Sequence, residues 1–225
     1  MSRRDTLGTI PSRPVPRVVL QGRYVRLEPL SATKHAAALF PRLCGTETGD
    51  LWRWMAAGPF ADAASFNAYI AHSAAQTDTA FFAAVACDSD VALGHLAMMR
   101  ADFVNSVIEI GFIMFSAALQ RTRMATEAVY LLARLAFDEL GYRRLEWKCN
   151  ALNLPSRRAA LRFGFSFEGI FRQHMIVKGQ NRDTAWFAML DGEWPSRRAA
   201  FEAWLAQDNF DRHGDQINSL RQGVL

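Results

Sequence analysis

The apolar and polar positions of this chain fall into alternating blocks. "VVLQGRYVRLEPL" (18–30) sets β-branched and apolar residues around a glycine and predicts one or two short strands. Ser31 then stands where an N-cap belongs, ahead of a helix through "ATKHAAALFPRL". "GDLWRWMAAGPFADAASFNAYIAHSAAQ" predicts two aromatic-rich helical pieces split at Gly58-Pro59, with Asp62 capping the second. A β-block follows. "TAFFAAVAC" (79–87) and "VALGHLAMMR" (91–100) are strands joined by the turn Asp88-Ser89-Asp90. "SVIEIGFIMF" (106–115) is nearly all apolar, as a central strand should be. A helix over about 124–140 stops at Gly141. "RRLEWKCN" (143–150) alternates like a strand, and "PSRRAALRFGF" (155–165) is a short helix closing near Gly164. Residues 167–178 and 183–191 make a hairpin across Gly179-Gln180-Asn181, and 195–207 is a last helix. The order β, αα, βββ, α, β, α, ββ, α defines a mixed α/β (α+β) chain with a mostly antiparallel sheet.

Composition narrows the class. The 225 residues suffice for one domain with a real core or two very small ones. No repeat, low-complexity tract or composition break marks a second domain, so the expected division is a loose arm (1–16), one domain (17–207) and a polar, mobile tail (208–225). Cys44, Cys87 and Cys149 are odd in number and far apart, which predicts free thiols in a reducing, cytoplasmic setting, with no disulfide framework or zinc site. The first residues carry no apolar h-region and no apolar run is long enough to span a bilayer, so neither a secretory signal nor a membrane is expected. The net charge of +4 comes mainly from arginine. It fits a solvated basic surface or an acidic cofactor or substrate equally well. Nucleic acid is disfavoured, because no surface interleaves aromatic and basic residues.

One loop changes the picture. In "ALQRTRMATEAVYLL" (117–131) Arg121 and Arg123 precede a strong helix, at the end whose partial positive charge favours acids. A strand entering a tight turn and a helix N-terminus presents outward N–H groups, a ready anion site. With a pyrophosphate between them and the N–H groups, two arginines become a clamp. Alternatively both side chains simply point into solvent.

"EIGFIMFSAALQRTRMATEA" resembles the cofactor-binding segment of the GNAT N-acetyltransferase superfamily, in the branch containing the ribosomal-protein N-terminal acetyltransferases. Gln120, Ala125, Thr126, Glu127 and Ala128 match its pattern, whereas Arg121 and Arg123 stand where glycines are usual. Arginine is expected to keep the N–H array there only with a negative φ. A second signature resembles "NALNLPSRRAALRFGFSFEG", through Asn150, Asn153, Ser156, Arg162, Gly164, Phe165, Glu168 and Gly169. "WRWMAAGPF" (52–60) and "GRYVRLEPL" (22–30) resemble further segments of the branch, so the likeness runs over roughly 18–191.

The resemblance implies a twisted sheet that splays open between the strands at 106–115 and 143–150, flanked by helices. Acetyl-CoA would enter this V as co-substrate, its arm received by the backbones of Ile113 and Phe115 and contacted by Asn153. The pyrophosphate would sit on residues 121–126, so Gln120, Arg121, Thr122, Arg123, Met124, Ala125 and Thr126 form the expected cofactor loop. The implied reaction is direct acetyl transfer to a primary amine, of a small molecule or a protein N-terminus. The other expectation is a non-catalytic acyl-CoA-binding relative. A homodimer is among the arrangements such relatives adopt.

Direct transfer needs a base, an oxyanion donor and an acid for the leaving thiolate. Glu109, a lone carboxylate in an apolar strand, is the first candidate base, or else a structural acid satisfied by a partner. His174 is second, in the right titration range; the neighbouring Met175 removes a carboxylate route that some relatives use. His95 is third, or simply packed. Ser156 matches the serine near the CoA sulfur, or caps the helix after Pro155. Trp52, Trp54 and Phe60, with Tyr69, either line the acceptor side or form plain core. No histidine pair has metal-ligand spacing, so no metal is expected.

Overall fold

The computed structural model describes residues 13–45 and 48–220. Its elements in chain order are β1 (Leu20–Gln21), β2 (Val25–Pro29), α1 (Ala32–Leu43), α2 (Ala63–Ala75), β3 (Ala80–Ala86), β4 (Ala92–Asp102), β5 (Val107–Phe115), α3 (Arg123–Arg134), β6 (Arg144–Asn150), α4 (Leu154–Arg162), β7 (Ser166–Val177), β8 (Gln180–Leu190) and α5 (Trp194–Leu205). One eight-stranded sheet has the order β1-β2-β3-β4-β5-β6-β8-β7. Every pairing is antiparallel except β5 with β6. The fold class read from the pattern is the one observed.

Strand alternation divides the core in two. Ile108, Ile110, Leu145 and Trp147 point to one face, where α3 covers them with Val129 and Leu132 and the turn after it with Ala136. Phe81, Ala83, Val85 and Met114 point to the other, where α1 and α2 supply Leu39, Leu43, Phe66 and Ile70. These two helices reach only the first half of the sheet. Over β6 and β8 that second face carries Lys148 and Trp186 and has no helix above it.

Several local readings change. Ser31 makes no side-chain cap; its backbone N–H donates to His35 Nδ1 at 3.1 Å. Asp62 does cap α2, accepting from Ser65 N at 2.8 Å. The first aromatic piece is a single 3-10 turn, Gly49–Trp52, followed by bends. The Trp52 ring is fully buried with its indole N–H on the Leu43 carbonyl (2.7 Å), which pins the segment before a helix can continue. The hairpin turn is Lys178-Gly179, with φ of 51° and 74°, and β8 begins at Gln180. Two successive positive φ values are what a two-residue hairpin of the right twist requires. The helix after β5 widens into a π-turn over Leu135–Glu139 before Gly141.

The outer segments are more tied down than their polarity suggests. Residues 1–12 of the arm lie outside the described residues, but Arg13 N donates to the Leu140 carbonyl (3.2 Å). Beyond α5, Asn209 is buried and donates to Trp204 O, while Trp204 Nε1 reaches Gln216 Oε1 at 2.8 Å. Phe210 packs edge-on against Trp204. Up to residue 220 the expected mobile tail is therefore a loop folded onto α5.

α3 is fixed to the sheet by one carboxylate. Buried Glu127 accepts three backbone N–H groups, from Arg23 (2.8 Å), Tyr24 (2.7 Å) and Val25 (2.8 Å). Charge-assisted bonds of this kind are about twice as strong as neutral ones. Gly22 makes room for them, since a Cβ there would stand 2.6 Å from the Glu127 carboxylate carbon. Replacing Glu127 by Gln leaves one of its acceptors a donor facing backbone N–H groups. Glu127→Gln is expected to lower the unfolding free energy by about 3 kcal/mol in chemical denaturation; a loss below about 1 kcal/mol would refute the anchor.

Candidate active site

The sheet opens where β5 and β6 part. They pair in parallel from Val107 with Arg144 to Ile110 with Trp147, and no further. Past that point Gly111–Phe115 keeps only β4 as neighbour, and Lys148–Asn150 only β8. The register between β4 and β5 shifts between His95 and Ala97, and Phe112 opposite the shift adopts a left-handed φ of 49°. Such a bulge bends its strand and increases local twist. It turns the second half of β5 away from β6. The expected splay lies between the expected strands.

The gap leads into the N-terminus of α3. Thr122 caps it, its hydroxyl accepting from Ala125 N at 3.2 Å, while Thr126 N returns to the Thr122 carbonyl and Thr122 N to Leu119. Among the described residues the N–H groups of Arg121, Arg123 and Met124 have no such acceptor. The available donors are thus these three, not the whole run 121–126; Thr122, Ala125 and Thr126 form the frame. Arg121 has φ +61°, which corrects the expectation of a negative value: the arginine accepts the left-handed conformation a glycine would take there. Its side chain is exposed. Arg123 does not join it in a clamp, because its guanidinium lies over the Tyr24 ring (4.5 Å) and the Phe210 ring (5.5 Å). Gln120 Nε2 donates to the Phe115 carbonyl at 2.8 Å, tying loop to strand at an atom expected to be free for the cofactor arm. Ile113 remains on the open stretch of β5.

Glu109 lies one residue before the apex. It is 6% exposed and opposite Glu146 in the β5–β6 register. Lys148 Nζ sits between them, 3.0 Å from Glu109 Oε2 and 2.7 Å from Glu146 Oε2, and 3.6 Å from the centre of the Trp186 ring. Arg100 Nε is 3.8 Å from Glu109 on the other side. Burial raises the Glu109 pKa, with Lys148 and Arg100 opposing. The Lys148 contact is close but poorly directed, so Oε2 lacks a well-aligned hydrogen bond. The other oxygen faces Gly111, 3.6 Å from where a Cβ would stand.

Across the gap, Ser156 Oγ accepts from Trp147 Nε1 at 3.0 Å, at the last paired residue of β6. That leaves its own hydroxyl proton to donate. Asn153, not Ser156, caps α4, accepting from Ser156 N at 3.1 Å. Its Oδ1 is committed there, and its Nδ2 is the part left for a ligand. His174 Nδ1 is 3.0 Å from Thr184 Oγ1, and its pKa is lowered by burial and by Arg100, Arg182 and Lys148. His95 is fully buried against Tyr69 and Phe81, and burial holds it down at about 4. It is a neutral packed ring, the bland alternative for that residue.

Of the aromatic candidates, Trp52 is enclosed by Phe60, Phe66 and Tyr69 and cannot touch a ligand. Phe60 and Trp54 are half-buried, and Arg53 lies over the Trp54 ring at 4.9 Å. The β7–β8 hairpin crosses to this segment, with Lys178 Nζ donating to the Trp52 carbonyl (3.0 Å). This contact joins residues 126 apart and ties the hairpin tip to the Trp52 segment. Sequence reading missed Lys148, Arg182 and Trp186. Their only signal was alternation in "RRLEWKCN" and "RDTAWFAML", which reads as an ordinary strand. Among the described residues no group of three or more metal-ligating side chains occurs, and no helix is long and apolar enough to cross a membrane.

A mixed sheet splayed beside a capped helix N-terminus is an α/β architecture with an anion-ready cleft at its centre. Residues 25–166 match the family model described as an acetyltransferase (GNAT) domain. The chain belongs to the GNAT acetyltransferase family. A crystal structure of a GCN5-related N-acetyltransferase from Brucella melitensis is 47% identical, covers 94% of this chain and 96% of its own, and superposes with a TM-score of 0.92. A structure of a probable GNAT-family acetyltransferase from Chromobacterium violaceum is 45% identical over 87% of this chain and 96% of its own, with a TM-score of 0.78. Among curated proteins, the uncharacterized N-acetyltransferase YnaD of Bacillus subtilis is 27% identical over 113 residues. That alignment spans 50% of this chain and 65% of the relative.

The two arginines differ in what they do for the fold. Arg121→Gly is expected to be about 1 kcal/mol more stable than Arg121→Ala, because only glycine adopts the left-handed φ without a Cβ clash. Arg123→Ala is expected to lose about 1 kcal/mol through its stacked rings. Equal stability of the two Arg121 variants in thermal melts would contradict the left-handed loop.

Proposed function

We propose that the protein moves an acetyl group from acetyl-CoA directly to a primary amine. The observation that carries this reading is the unpaired stretch of β5 running into three free N–H groups at a helix start. An extended thioester arm can lie along the former while its pyrophosphate meets the latter. Arg121, exposed beside these groups, supplies the remaining positive charge. The second reading, a non-catalytic acyl-CoA binder with a degenerate loop, has less support, since Arg121 keeps the backbone conformation a glycine would adopt.

The thioester brings an activated acyl carbon. The amine nitrogen forms the new C–N bond to it, the C–S bond breaks, and the sulfur leaves with a proton. The surplus amine proton goes to Glu109 and on to water. Glu109 suits this role because burial keeps its pKa above that of an ordinary carboxylate, closer to the working range of a base. Ser156, oriented by the Trp147 indole, hands its hydroxyl proton to the sulfur and takes one back from water. A backbone N–H of the open β5 stretch receives the developing oxyanion. His174 lines the acceptor side as a neutral imidazole, and Asn153 Nδ2 steadies the cofactor arm.

Two measurements test this. In calorimetry, acetyl-CoA is expected to bind wild type, and Arg121→Ala to weaken it roughly tenfold through one lost charge-assisted contact; no binding to wild type refutes the reading. Glu109→Gln is expected to lower kcat on the order of 100-fold with acetyl-CoA affinity unchanged. The base works deprotonated, so wild-type kcat/KM should be lost as pH falls through a pKa above the ordinary 4.5, and that limb should vanish in the variant. Unchanged kcat would remove Glu109 from the mechanism.

A further inference from the structure

The face of the sheet beside the gap holds a chain of opposite charges and one cation outside it. Arg100 meets Glu109, Glu109 meets Lys148, Lys148 meets Glu146, Glu146 meets Arg144, and Arg144 meets Glu168. This chain balances. Arg182 stands apart from it. Alternation along β8 puts Arg182 on the same face as Thr184 and Trp186. The contacts of His174 with Thr184 and Trp186 define the middle of that face.

Arg182 is half-buried, and its Nε is fully buried without a hydrogen bond. No ion pair or side-chain hydrogen bond of Arg182 occurs among the described residues. Thr184 pairs with Asn150 at the end of β6, and Arg182 lies two residues further along β8, so it stands toward the mouth of the gap. Trp186 Nε1, on the same face, is also buried without a partner. Native proteins rarely leave buried donors unused, and an unmatched buried cation is costly. The carboxylate next in sequence does not help, because alternation turns Asp183 to the opposite face, where it accepts from Gln173 N (2.7 Å) and Asn181 Nδ2 (2.9 Å).

Resting on the acetyltransferase reading of this site, we infer that Arg182 recognises a carboxylate on the acceptor, which is a small amino acid-type amine with an apolar or aromatic side chain. A guanidinium fork matches a carboxylate in shape. One uncompensated positive charge calls for a monoanion. An amine a few bonds from that carboxylate falls toward Glu109, whose partner Lys148 lies against the Trp186 ring of the same face. The stacked Phe171 and Trp186 rings (4.5 Å) offer an apolar wall. A protein N-terminus, whose first carboxyl is an amide, would leave Arg182 unmatched.

The test uses product analogues, so it needs no bound cofactor. N-acetyl-L-phenylalanine and its amide differ only in the charge. Each is titrated calorimetrically into wild type, Arg182→Lys and Arg182→Met. The acid is expected to bind wild type at least about tenfold more tightly than the amide, with part of that preference kept by Arg182→Lys and none by Arg182→Met. Arg182→Met should melt no lower than wild type, because it removes an unmatched charge. Equal binding of acid and amide, no binding of either, a preference that survives in Arg182→Met, or a lower melting temperature overturns the assignment. A parallel titration with acetyl-CoA reports separately on the acetyltransferase reading.

Discussion

Four residue pairs decide the rest of this molecule. β5 and β6 run parallel only from Val107–Arg144 to Ile110–Trp147. Had the ladder continued, the sheet would be closed and its backbone groups satisfied. Because the Phe112 bulge diverts β5, five residues keep an open edge inside the sheet. An open edge is normally a liability at the rim of a sheet. Here it lies in the interior, walled by Ser156 and Trp147 on one side and leading to the α3 N-terminus on the other. Glu127 holds that helix to the β1–β2 turn with three hydrogen bonds, so the position of the free N–H groups is set by strands far away in sequence.

The electrostatics follow from the same split. Where strands are paired, Glu146 and Lys148 sit two apart on one face and Glu109 stands opposite, which makes a buried triad of two acids around one ammonium. A triad with an extra acid keeps one carboxylate poorly directed, and burial biases that group toward protonation. The geometry gives this position to Glu109, the member nearest the apex. A titratable group at the apex is therefore a product of register, not of an isolated acid in an apolar strand.

Most of the fold was legible because period and punctuation agreed. Asp62 before α2, Asp88-Ser89-Asp90 between β3 and β4 and Gly141 after the π-turn each stand where local chemistry stops or starts an element. The misread stretches are those where tertiary contacts override local preference. Trp52 interrupts a helical pattern by burying its ring, Lys178 takes a turn position that looked like strand, and Asn209 draws a polar tail onto α5. The cofactor loop was visible through its pattern, but not the division of labour within it. Nothing in "QRTRM" says that the Arg123 guanidinium will lie over two aromatic rings, one of them from residue 210.

Lys148, Arg182 and Trp186 were invisible for a different reason. Each occupies an alternating strand position that any polar or aromatic residue could fill on a solvated face. What sets them apart is that the Lys178–Trp52 contact ties the tip of the hairpin carrying Arg182 and Trp186 to a segment far away in sequence. Sites built between a sheet and a hairpin returning from the far end of the chain have no local sequence signal. They can be read only from what is left over after the other polar groups have found partners, and on this face the remainder is Arg182 Nε, the Trp186 indole N–H and the Glu109 oxygen without a well-aligned hydrogen bond.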